Sequence, residues 1–167
     1  MKTLLIISNI ICLGYLLLIH IKFPKLTSVS QSYYKWEEKK GRGVIFYFWA
    51  VLSLFTLLPV WFSVAPDNLK FIPFLSALGL GFVGAAPRFE EKHEGIVHFV
   101  SAAFCLLGSL ASILIYPSKF YIFLAYYVLF IALSIRKKQF AVRYIELAAF
   151  LSIYTTLDII LLWEIDF

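Results

Sequence analysis

Apolar residues dominate this chain in long uninterrupted runs, and the polar residues gather in the breaks between them. A helix that crosses a bilayer needs about 20 mainly apolar residues, because the hydrocarbon layer is about 30 Å thick and each helical residue rises about 1.5 Å. Six runs approach or meet that requirement, over residues 3–20, 44–64, 71–86, 95–116, 119–135 and 144–163, the third and fifth short for a span and the fourth generous. The breaks carry turn residues. Pro24 ends the first run, Gly41 and Gly43 precede the second, and Pro66-Asp67-Asn68 follows it; Pro87 closes the third, and Pro117-Ser118 divides the fourth from the fifth. Pro59 falls inside the second run, where a kink is expected rather than a break, since a neighbouring helix can satisfy the freed carbonyl. The pattern predicts an all-α fold, a polytopic transmembrane helical bundle of six spans forming a single domain over residues 1–167.

The longest break, residues 22–42, contains Tyr33-Tyr34-Lys35-Trp36-Glu37-Glu38-Lys39-Lys40. This mixture of rings and charges suits either an amphipathic helix lying among the headgroups or a solvated connector. Met1-Lys2 ahead of an apolar run resembles a secretory signal, but no small-x-small cleavage site follows, so the first run is expected to stay as a span.

Composition strengthens the membrane reading. Hydrophobic residues make up 62% of the chain and charged residues 15%, against roughly 45–50% and about 25% in soluble domains. A water-soluble globule of this size would leave large sticky patches. Tyr33, Tyr34, Trp36, Trp61, Tyr116, Tyr121 and Trp163 lie where apolar runs meet charge, so they suit an interfacial belt, with packing between helices as the alternative. Cys12 and Cys105 stand alone within apolar runs, a pattern of packing residues rather than of a zinc or redox pair.

The net charge of +5 has a topological reading. Loops one, three and five hold Lys22, Lys25, Lys35, Lys39, Lys40, Arg42, Arg88, Lys92, Arg136, Lys137, Lys138 and Arg143, whereas the other face holds Lys2, Lys70 and Lys119. Basic residues concentrate on cytoplasmic loops, so both termini are expected outside the cytoplasm, in a bacterial inner or plasma membrane. The partners implied are membrane lipids, with homo- or hetero-oligomers in the membrane left open; nucleic acid is not implied.

Ionisable groups at membrane depth are costly and therefore draw functional attention. His20, Glu94, His98 and Glu146 share one depth near the cytoplasmic ends of their runs, and His93 lies just outside. They could form a site that binds a divalent metal or relays protons, since imidazole and carboxylate suit zinc and similar ions. The competing reading makes them solvated or ion-paired, with Ser101, Gly108 and Ser112 allowing close helix approach. No resident cofactor is indicated beyond that metal, and no catalytic residue is assigned. Asp158 lies about five residues from the outer end of the sixth run, about 120° around the helix from Glu146. It could neutralise a cation in a pathway or accept hydrogen bonds from Thr155 or from tyrosines elsewhere, and an interhelical hydrogen-bonding role is expected.

Gly84-Ala85-Ala86-Pro87, the acidic stretch after it, and His98 with Ala102 and Phe104 downstream resemble the damage-regulated autophagy modulators and related bacterial integral membrane proteins. That resemblance implies six spans, a proline-capped third helix and a histidine opening the fourth, without implying catalytic residues. Here Ala86 and Arg88 flank the proline, where that group more often has an aromatic and an acid. Three histidines near one face also bear comparison with the membrane hydrolases that include alkaline ceramidases and adiponectin receptors, although the paired histidines of a late helix and one span are missing. The chain thus reads as an integral membrane protein without enzymatic activity, acting through lipid, solute or protein contacts; a metal-dependent lipid hydrolase and a small transporter or channel are the alternatives.

Overall fold

The computed structural model describes residues 1–39 and 41–162; Lys40 and Trp163, both used above, lie outside the described residues. Its long helices are α1 (Lys2–Lys22), α3 (Val44–Val64), α4 (Phe71–Ala85), α5 (Lys92–Ala111), α6 (Phe120–Arg136) and α7 (Ala141–Leu161), with the short α2 (Ser32–Glu37) between α1 and α3. Among the described residues all regular structure is helical, and with the flanking 3-10 turns six helices are long and apolar enough to cross a membrane. The all-α bundle expected from the apolar runs is therefore observed.

Helix ends follow local chemistry. Gly41 adopts φ +64°, a left-handed turn that glycine reaches without steric cost, just before α3. Asp67 and Lys70 pair at 2.6 Å across the 3-10 turn that opens α4, and α4 ends at Ala85, ahead of Pro87, which has no N–H to continue it. α3 runs through Pro59 without a break.

α1 packs on α3, α3 on α4 and α4 on α5, while α7 touches both α5 and α1 and so closes a ring; α6 packs mainly along the outside of α7. The α4–α5 contact is close because both helices present small residues. Gly79 faces the Ser101 carbonyl so tightly that a Cβ would lie 2.6 Å from it, and Gly108 meets Ser76 in the same way. Ser76 Oγ donates across this contact to the Cys105 carbonyl at 2.9 Å. The small-residue stripe of α5 thus serves helix packing, in which van der Waals contact replaces the hydrophobic drive that lipid does not supply.

The distribution of side chains is inverted relative to a water-soluble protein. Ser8, Ser53, Ser76, Ser152 and Thr156 are buried, whereas Ile10, Phe55, Leu107 and Ile135 are each at least 65% exposed. Such an apolar exterior has lipid as its natural solvent.

Loop one includes the short helix α2 and packs on the bundle, with Leu26, Val29 and Trp36 buried against it. Tyr15 Oη and Ser32 Oγ lie 2.7 Å apart, and Phe23 meets Trp36 edge to face at 5.1 Å. Lys22 and Lys39 sit over the Trp36 and Phe23 rings, leaving their charges at the outer edge of the packed loop. Of the residues open to interfacial or packing roles, Trp61 and Tyr116 are core residues, while Tyr121 is exposed.

Candidate functional site

The first turn of α7 organises the end of the bundle where loops one, three and five meet. Loop one has no ladder to satisfy its backbone, so α7 supplies the partners. The Arg143 N–H donates to the Thr27 carbonyl at 3.0 Å, and Arg143 Nη1 donates to the Pro24 and Leu26 carbonyls, each at 3.2 Å. Arg143 Nη2 donates to His20 Nδ1 at 2.6 Å. One turn on, Glu146 Oε2 accepts the Val29 N–H at 2.6 Å.

Behind this latch lies a cavity of about 50 Å³ between α3, α4, α5 and α7, room for a few water-sized groups. Leu57, Leu80, Ala102 and Ile153 are among its apolar lining, and Val29 and Ser30 of loop one contribute to it as well. Two of its hydroxyls are committed to backbone, Ser76 to the Cys105 carbonyl and Ser109 to the Ala149 carbonyl. Glu146 is the carboxylate that lines it.

The other predicted polar residues lie elsewhere at that end. His98 is buried, and its Nδ1–H donates at 2.8 Å to the carbonyl of Ala86, the C-cap of α4. A helix end leaves such carbonyls without intrahelical donors, and His98 supplies one. Phe89 covers the His98 ring with centroids 5.0 Å apart. Glu94 accepts the Arg88 N–H at 3.1 Å and pairs with the Arg88 guanidinium at 2.9 Å, while Glu91 takes the other side of that guanidinium. His93 is exposed on the first turn of α5. Loop three also meets loop one, where the Glu90 N–H donates to Tyr34 Oη at 3.0 Å.

His20, Glu94, His98 and Glu146 thus share one end of the bundle without converging. His98 and Glu94 brace the α4–α5 corner, whereas His20 and Glu146 contact the two sides of the loop-one latch. Among the described residues, no three His, Cys, Asp or Glu side chains are arranged to hold a metal ion.

At the opposite end, Asp158 Oδ1 accepts from Asn9 Nδ2 at 2.7 Å, joining α7 to α1. The donor to Asp158 is thus neither Thr155 nor a tyrosine; Thr155 pairs with Tyr126 at 3.0 Å. Beside it, Ser8 Oγ lies 2.8 Å from Tyr154 Oη and accepts from Thr56 at 3.1 Å, linking α1, α3 and α7. Sequence reasoning missed Ser8, Asn9, Thr56 and Arg143. The adjacent Ser8-Asn9 inside an apolar run was the available signal.

Comparison of the chain with protein-family models, with curated proteins and with solved structures finds no match.

Proposed function

We propose that this chain is a six-span integral membrane protein that binds a lipophilic molecule at the cavity beside Glu146, with no more than a few of its heavy atoms inside the void of about 50 Å³. The observation carrying this reading is a carboxylate at the wall of an otherwise mainly apolar cavity inside the bundle. Apolar walls with few polar contacts are the usual composition of a small-molecule site, where the polar group orients the ligand. An ionisable group at membrane depth is retained against a desolvation cost, which favours a role in recognition. The ligand class is an apolar body carrying a hydrogen-bond donor or a cationic group that reaches Glu146.

In the same proposal, the end bearing loops one, three and five faces the cytoplasm of a plasma or bacterial inner membrane, and both termini lie on the other side. The basic surplus at that end supports it. Kinship with the damage-regulated autophagy modulator type is also proposed. In its support, the residues behind the resemblance are physically coupled, since His98 caps the helix that ends at Gly84-Ala85-Ala86-Pro87. A metal-dependent hydrolase draws less support, because His98, Glu94 and His20 are each engaged in separate local contacts.

The test is to extract small lipophilic species from the purified protein and identify them by mass spectrometry. Ala102 lines the cavity, while its neighbour Ala103 is exposed on the bundle surface. Wild type and Ala103→Phe are expected to carry the same species, and Ala102→Phe to lose it. A wild-type protein with no such species, or equal retention by Ala102→Phe, would contradict the proposal.

A further inference from the structure

On the lipid-facing side of the loop-one latch, α1 and α7 leave a groove of about 230 Å³. Leu13, Leu17, Leu147 and Leu151 line its length, and His20 and Arg143 stand at its loop-one end. Arg143 is 4% exposed. A guanidinium has five N–H donors, and three of them go to the Pro24 carbonyl, the Leu26 carbonyl and His20 Nδ1. All three acceptors are neutral. Among the described residues no carboxylate forms an ion pair with Arg143, and Glu146 is turned to the Val29 amide. Glu146 is near enough to interact with the Arg143 charge but does not pair with it directly, so the buried guanidinium keeps donors that an anion can take.

We propose that this groove seats an anionic phospholipid, its phosphate at Arg143 and one acyl chain along the four leucines. His20 contributes a second donor. Because its Nδ1 accepts from Arg143, its proton resides on Nε2, and the ring is exposed. Lys22 and Lys25 are exposed nearby in sequence. Their charge favours a headgroup with net negative charge over one carrying its own ammonium, as basic pockets between membrane helices do generally. The groove shares only Val29 with the cavity proposed above and stands whether or not that cavity binds a ligand.

The test measures thermal unfolding of the whole chain in detergent with added phosphatidylglycerol, with phosphatidylcholine of the same acyl chains, or with inorganic phosphate. Phosphatidylglycerol is expected to raise the midpoint by several degrees more than phosphatidylcholine, and inorganic phosphate to leave it unchanged. Leu17 is 60% exposed, so Leu17→Trp obstructs the groove with little risk to the fold. That variant is expected to keep its midpoint in detergent alone and to bind phosphatidylglycerol roughly tenfold more weakly by native mass spectrometry. Equal shifts from the two lipids, a matching shift from inorganic phosphate, or undiminished phosphatidylglycerol binding by Leu17→Trp would each overturn the proposal.

Discussion

A single methyl group at Gly79 should separate α4 from α5. In Gly79→Ala the new Cβ would lie 2.6 Å from the Ser101 carbonyl oxygen and 3.0 Å from the Cys105 nitrogen. Carbon–oxygen contacts settle near about 3.3 Å, so the helices must part by roughly 0.7 Å. The obstructing atoms are backbone in mid-helix and cannot swing aside. The Ser76 Oγ to Cys105 carbonyl bond, 2.9 Å long, would stretch to about 3.6 Å and cease to be a hydrogen bond. Overpacking of this kind costs ~1–3 kcal/mol, and the lost bond costs about 1 kcal/mol more. Alanine's better helix propensity returns up to about 1 kcal/mol, leaving a net loss of ~1–3 kcal/mol. Gly14→Ala is the control, because a Cβ there meets nothing within 4 Å; it should stabilise by ~0.5–1 kcal/mol. Unfolding of both variants in one detergent, followed by circular dichroism against denaturant, measures the difference. Equal stabilities for the two variants would refute the close α4–α5 approach.

Three further outcomes follow from the contacts. In a double-mutant cycle, Asn9→Ala and Asp158→Ala should couple by ~0.6–2 kcal/mol; strictly additive effects would remove the α1–α7 bond from the account. His98→Ala leaves the Ala86 carbonyl without its donor and should cost ~1–3 kcal/mol in the same unfolding assay, whereas unchanged stability would deny the capping role. Burial pushes the Tyr33 and Tyr34 phenols above their ordinary value, with nearby carboxylates adding to the effect. A raised pKa in the folded state contributes stability below the ordinary phenol value of about 10 and loses it as pH rises through the folded value. Ultraviolet titration should therefore show late-ionising tyrosines whose number falls in Tyr34→Phe; an unchanged late fraction would place Tyr34 in open water.

Span positions were legible because length and apolarity determine them directly. The second run coincides with α3 over 44–64, since Gly43 and Pro66 mark its edges. The start of the sixth did not: α7 begins at Ala141 rather than 144, because Arg143 reads as a loop charge until loop one is seen to supply its carbonyl partners. Depth was readable as well, and His20, Glu94, His98 and Glu146 do share one end. Their rotation about the helix axes was not readable, because helices facing lipid on one side and helix on the other are apolar all round. The Asn9–Asp158 pair spans 149 positions and leaves no local trace. The inward packing of Trp36 was hidden for a related reason: rings mixed with lysines suit a membrane surface and a packed loop alike.

Everything about the cavity, the latch and the groove presumes that lipid surrounds the six helices. The most direct test is an alkaline carbonate wash of membranes from cells making the protein, followed by sedimentation and assay of both fractions. Retention of the chain in the membrane pellet is the expected result. Release into the supernatant as a monodisperse species, stable in buffer without detergent, would contradict the account.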